Sequence, residues 1–153
     1  MTYLGNISLL SQPKHGFLCS RCTRSGAILP CLDWAVAHSQ DTTPIMSTFH
    51  SEMEEAVLDM LLGGKVPLIL ILGRRLYKVM PEKLKPLLDA NRLLIISIAE
   101  QKRITRESAL DCNKFICEQS SVLTFGFLSP DSSLYPLYEE AMKSPKQVDV
   151  ITK

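Results

Sequence analysis

Residues 66–75 read VPLILILGRR. Pro67 opens the stretch, an unbroken Leu/Ile run follows, and Gly73 closes it directly against two arginines. An apolar run this short, bounded by Pro and Gly, reads as a strand rather than a buried helix. Because it does not alternate with polar residues, both of its faces are buried, which is the mark of a parallel sheet covered by helices. Open sheets of that kind bind ligands beyond the carboxyl ends of their strands. Gly73, Arg74 and Arg75 therefore fall where a binding site is expected, and they bring positive charge to it.

The rest of the chain alternates in the same sense. Residues 16–19 (GFLC) form a first core strand, after a lead-in segment of residues 1–14 that is either an edge strand or a cap. A helix is expected over residues 27–38, with Ile28, Leu32, Ala35 and Val36 on one stripe. Pro30 fits that helix only inside its first turn. Residues 44–47 (PIMS) are a second strand. Ser51 and Glu54 form a capping box for a helix that stops at Gly63 and Gly64. After the organising strand, a short helix starts at Pro81, residues 92–97 (RLLIIS) form a strand, and Thr105 caps a helix to about residue 119. Residues 121–125 form a strand ending at Gly126. Ser132 or Ser133 begins the last helix, and residues 148–151 close the sheet. Strands alternating with helices at this interval predict an α/β fold, a three-layer α/β/α Rossmann-like sandwich with a mostly parallel sheet. Residues 66–72, 92–97 and 121–125 are expected as parallel neighbours or near-neighbours.

Bulk properties narrow the function. A chain of 153 residues suits a single domain spanning 1–153. With a net charge of +1 there is no global field to attract nucleic acid or anionic lipid, so any basic site is local. The first residues lack the basic start and apolar core of a secretory signal, and no run approaches the ~18 apolar residues of a membrane span. Five irregularly spaced cysteines suit a reducing compartment. The expected location is the cytoplasm, without a membrane partner; an open sheet with edge strands allows a homodimer.

Four polar turns at strand ends share one chemistry. They are Ser20-Arg21-Cys22-Thr23-Arg24-Ser25-Gly26, Ser47-Thr48-Phe49-His50-Ser51, Gly73-Arg74-Arg75, and Gly126 to Ser133. Three of them lead into helix N-termini, where free N–H groups favour an anion. Hydroxyls beside arginines suit phosphate oxygens, although any one such turn is by itself only a polar surface loop. No Gly-x-Gly-x-x-Gly and no Gly-Lys-Ser/Thr loop occurs, which excludes a standard dinucleotide or P-loop site. Cys19-x-x-Cys22 with Cys31 nearby lacks the second pair a zinc site needs, so the cysteines read as structural and no metal or cofactor is expected. His50 is the best-placed histidine, while His15 and His38 read as surface residues. Of the acidic cluster Glu52, Glu54, Glu55 and Asp59, only Glu52 is expected to face a pocket. Arg103, Arg106, Asn113 and Lys114 put basic and amide groups at the start of and along the helix that Thr105 caps. Asn113 lies about two turns in, unfavourably for an Asn, and reaches the rim only if that helix is short.

Taken in order, these pieces resemble the DNA-processing protein A family (the DNA recombination mediator) within the Rossmann-like superfamily of small-nucleotide-sensing, SLOG-type domains. Ser20-Arg21 with Thr23-x-Ser25-Gly26 is similar to that family's loop after strand one. Residues 47–54 (STFHSEME) resemble a Gly-Phe-His-Ser-Pro-Met-Glu turn of its short, stand-alone members, and residues 92–97 a Gly-Arg-Leu-Leu strand of the same members. Cys112-Asn113-Lys114-Phe115-Ile116 resembles Arg-Asn-Arg-hydrophobic-Ile, with both arginines replaced, and Asp131-Ser132-Ser133-Leu134 a Ser-Gly-Ser-Leu turn. The resemblance covers about residues 16–151. The Pro-Gly-Gly-x-Gly-Thr loop of the related phosphoribohydrolases has no counterpart in residues 127–133.

The expectation is a non-catalytic protein that binds a nucleotide or the backbone of single-stranded DNA. Arg21, Arg24, Arg74, Arg75 and Lys114 would meet phosphates. Ser20, Ser47, Ser132 and Asn113 would hydrogen-bond sugar or phosphate, with Phe49 or His50 stacking on a base. Thr23, Ser25, Gly26, Gly73, Gly126 and Ser133 complete the candidate loops. The small charge favours a mononucleotide-sized ligand. The alternatives are a nucleotide hydrolase using Glu52 or Glu139, and a scaffold for protein partners.

Overall fold

The Leu/Ile run is strand β4 (Leu68–Leu72), buried at every position, in the computed structural model, which describes residues 1–21 and 24–152. The other strands are β1 (Thr2–Gly5), β2 (His15–Leu18), β3 (Ile45–Ser47), β5 (Leu93–Ser97), β6 (Val122–Phe127) and β7 (Gln147–Thr152). They form one seven-stranded sheet in the order β1-β5-β4-β3-β2-β6-β7. Every pairing is parallel except β1 with β5, so the lead-in segment supplies an antiparallel edge strand and a 3₁₀ turn at Ile7–Ser11. β4 and β5 are direct neighbours, and β6 runs parallel to them beyond β3 and β2, as expected.

Alternation within the strands divides the core into two layers. Leu68, Leu70 and Leu72, with Leu93 and Ile95, pack into one cluster with residues of α1 (Ser25–His38) and α2 (Glu52–Leu61). Ile69 and Ile71, with Leu94 and Ile96, pack into the other with α4 (Arg106–Gln119) and α5 (Leu134–Met142). Period-2 side-chain alternation makes one apolar run serve both helical layers at once. The short helix after Pro81 is a 3₁₀ turn (Glu82–Leu84) running into α3 (Lys85–Asp89). No helix among the described residues is long and apolar enough to cross a membrane.

Three sequence expectations change. β6 does not end at residue 125: Gly126 and Phe127 continue it, and Gly126 is buried where an added Cβ would lie 2.9 Å from Phe17 and 3.0 Å from Cys31 Sγ. Gly126 is therefore a packing glycine, not a loop residue. Pro30 is not in a first turn, because α1 already starts at Ser25 and Pro30 lies inside it. His15 and His38 are not isolated surface residues. The His15 ring meets Trp34 and His38 edge-on, each at 5.2 Å, and its Nε2 is 2.7 Å from Thr124 Oγ1, while His38 Nδ1 is 2.6 Å from Asp41 Oδ2. Burial of the apolar Phe17–Trp34 stack draws these histidines with it.

Topology sets where a site can form. The chain steps outward from β2 through β3 and β4 to β5, then α4 recrosses the sheet to β6 on the other side of β2. The loops after β2 and β6 therefore flank the switch point.

Candidate nucleic-acid interface

The switch point is bridged, not open. Ser20 Oγ donates to Ser132 Oγ at 3.1 Å and accepts from the Ser129 backbone N–H at 3.1 Å, while Ser132 Oγ accepts from the Leu134 N–H. These hydroxyls tie the β2 loop to the β6 loop and cap the start of α5.

An open cleft of about 1360 Å³ lies along the ends of β2, β3 and β4 and beneath the first turns of α4. α4 reaches this position because Gly73 lets it approach the end of β4. A Cβ there would meet Ser108 Oγ at 3.0 Å and Cys112 Sγ at 3.2 Å. Capping fixes the α4 end: Thr105 Oγ1 accepts from the Ser108 N–H and Ser108 Oγ from the Thr105 N–H.

Charge is unevenly spread over the walls. Among the described residues six cationic side chains line the cleft, Arg21, Arg74, Lys83, Lys102, Arg103 and Arg106, against three carboxylates, Glu54, Glu55 and Asp131. Lys83 already bridges Glu55 at 3.4 Å and Asp59 at 3.2 Å. The Arg74 guanidinium lies 4.6 Å from the centre of the Tyr77 ring and donates to the Arg75 carbonyl, so its plane is held in place. Burial pushes the Tyr77 hydroxyl above its usual value, and the neighbouring Arg74 opposes that shift.

Glu54 is the most constrained group of the site. Its Oε1 accepts from Thr48 Oγ1 at 2.6 Å and from the N–H groups of His50 and Ser51 at 3.2 and 3.3 Å; Oε2 accepts from the Cys19 N–H at 3.0 Å. Only 3% of the residue is exposed. Phe49, between the donors, takes a left-handed φ of 47° and gives its N–H to Ser47 Oγ, a conformation that costs a non-glycine residue energy.

Of the candidate residues, the cleft brings together Ser20, Arg21, Phe49, His50, Gly73, Arg74, Asn113, Ser132 and Ser133. Thr23 lies outside the described residues. Arg24, Ser25, Gly26, Ser47, Arg75, Lys114 and Gly126 are not on its wall. Arg24 is the N-cap of α1, with its guanidinium 5.8 Å from the Phe127 ring centre. Ser25 and Gly26 form the first turn of that helix, and Ser47 is fully buried as an acceptor for Phe49. Arg75 turns its backbone N–H to the Gln101 carbonyl. Lys114 is exposed on α4, one position past the residue that faces the cleft.

Asn113 reaches the cleft although α4 is as long as expected, because the helix overhangs the strand ends. Phe49 is 6% exposed, which makes it floor and leaves His50 as the accessible ring. Glu52, expected to face the pocket, is exposed off the wall; Glu54 and Glu55 line it, since the capping box turns the Glu54 carboxylate back over the helix start. Glu139 is exposed on α5, also away from the wall. Arg103 and Arg106 were signalled in sequence by their place on either side of the Thr105 cap, whereas Lys102 was not singled out. Nothing local marks Tyr77 or Lys83, which reach the cleft through the irregular segment after Gly73.

The described thiols are packing groups; Cys22 lies outside the described residues. Cys19 and Cys31 are buried together with their side chains hydrogen-bonded, which raises the Cys31 thiol far above its ordinary value. Among the described residues no three His, Cys, Asp or Glu side chains are grouped to hold a metal ion.

No protein-family model matches the sequence, and no curated protein matches it either. Solved structures do resemble the fold. DNA processing protein A (DprA) from Streptococcus pneumoniae superposes with a TM-score of 0.74 at 21% identity over 97% of this chain. The same protein from Helicobacter pylori, whose structure is described for its single-stranded DNA binding mode, gives 0.75 at 19% identity, again over 97%. The chain spans 53% of the first protein and 69% of the second. A Moco carrier protein from Chlamydomonas reinhardtii is more distant, at TM-score 0.56 and 11% identity, over 93% of this chain and 78% of its own. The chain has the Rossmann-like α/β fold seen in DNA processing protein A.

Proposed function

We propose that the protein binds single-stranded DNA through its sugar-phosphate backbone, without catalysing a reaction on it. The observation that carries this reading is the distribution of cations. Arg21, Arg74, Lys102, Arg103 and Arg106 come from three separate segments onto one cleft; against them stand Asp131, Glu55, which Lys83 bridges, and Glu54, whose carboxylate is held by backbone N–H groups. A row of cations along an open groove suits successive phosphates of a strand. The cleft volume, about 1360 Å³, exceeds the roughly 300–1,000 Å³ of small-molecule pockets, which supports a strand segment over one nucleotide. His50, exposed at the rim, and the Arg74–Tyr77 stack offer flat surfaces to bases. The fold shared with the Helicobacter pylori protein is consistent with this ligand class.

The test is a titration of fluorescent oligo-dT and of nucleoside monophosphates at several salt concentrations. Salt-sensitive oligonucleotide binding that weakens in Arg103→Ala and Arg106→Ala is the expected result. Tighter binding of a monophosphate with little salt dependence would overturn it in favour of a nucleotide sensor. Binding of neither would leave a scaffold for protein partners.

A further inference from the structure

The donors around Glu54 form an anion hole. Three backbone N–H groups, those of Cys19, His50 and Ser51, converge with the Thr48 hydroxyl at the start of α2 and the end of β2. Such an array at a helix N-terminus is what phosphate groups occupy in nucleotide-binding folds. Here a side chain of the same chain fills it, buried and with both oxygens engaged.

We propose that Glu54 is the built-in occupant of this hole and thereby determines how a ligand lies in the cleft. The inference rests on reading the cleft as a phosphate-binding site. A phosphate approaching the β3–α2 wall meets donors already spent on Glu54 and a like charge behind them. Phosphates are therefore left to the cleft arginines Arg21, Arg74, Arg103 and Arg106, and bases turn toward His50. The ordinary capping-box role explains the bond to Ser51 but not those to His50, Cys19 and Thr48, which lie outside the helix.

The experiment is an amide-resolved NMR titration with inorganic phosphate and with oligo-dT, on the wild type, on Glu54→Ala, and on Glu54→Ser in case the alanine variant does not fold. In the wild type, inorganic phosphate should shift the amides next to Arg21, Arg74 and Arg103 saturably while those of His50 and Ser51 stay in place, and oligo-dT should in addition shift His50 through its bases. In the variants, phosphate should shift the amides of Cys19, His50 and Ser51. Saturable wild-type shifts at His50 and Ser51 with inorganic phosphate would overturn the proposal, as would variants whose emptied hole ignores phosphate. If no wild-type amide responds to either ligand, the DNA-binding reading fails, and the variants still decide whether Glu54 occupies an anion hole.

Discussion

The backbone N–H of Cys19 donates to Oε2 of Glu54 at 3.0 Å, linking residues 35 positions apart in sequence. One carboxylate thus joins the end of β2 to the turn that starts α2, and the cleft keeps its shape only while both ends are held. Removing it leaves three N–H groups and a hydroxyl without their acceptor. We expect Glu54→Ala to cost about 2–4 kcal/mol. Glu55→Ala, one residue further on and exposed, should stay within about 0.5 kcal/mol. Urea unfolding of the two variants makes the comparison, and equal effects would show that Glu54 is not a clamp.

Salt dependence counts phosphates. On single strands the slope of log affinity against log salt is about −0.7 per neutralised phosphate. Four arginines lining the cleft predict a slope of about −2 to −3 for oligo-dT. Arg103→Ala and Arg106→Ala should each reduce its magnitude by about 0.7, whereas Lys114→Ala, on the outer side of α4, should leave it unchanged.

Stability should respond to pH through His15. Burial lowers its pKa from 6.5 to about 4, with nearby His38 adding to the shift and Asp41 and Asp149 opposing it. Between those values the unfolded chain binds more protons than the folded one, so stability falls as pH drops from 6.5 toward 4 and levels off below. The loss is at most about 3 kcal/mol, and less where solvent reaches the ring. Denaturation of the wild type and of His15→Gln from pH 7 to pH 4 tests this. The gap between the two should change across that window and not above it.

Thiol chemistry should be slow. Burial pushes Cys112 up to about 12 and Cys117 to about 11, in the second case against the opposing charge of Lys146, and Cys31 is raised further by its bond to Cys19. Thiolate is the reactive form, so none of the three should be alkylated in the native protein at pH 7.5. Peptide mapping after iodoacetamide treatment reads the result. Rapid labelling of Cys112 would mean that α4 detaches from the strand ends.

Much of the fold was legible because its signals are local. The unbroken run at residues 68–72 requires burial on both faces, and only a covered parallel sheet provides that. The capping box at Ser51 and the N-cap at Thr105 mark helix starts from a few consecutive residues, and both are present; the reciprocal bond of Ser108 to Thr105 was not read from the sequence. The limits of β6 were less clear, since a glycine can end a strand or fit beneath a phenylalanine ring, and Phe17 comes from another strand.

The cleft divides along the same line. Sequence by itself determined that polar, cationic turns gather at the strand ends, because strand direction and turn composition are properties of neighbouring residues. Which side chains share a wall was decided by tertiary packing. Lys114 and Asn113 are adjacent, yet a step of about 100° around the helix puts one outside and the other in the cleft. Tyr77 gains its place only by lying under Arg74, and Glu54 its second role only because β2 ends beside α2. Contacts of that kind depend on the relative placement of whole elements, which no short stretch of sequence encodes.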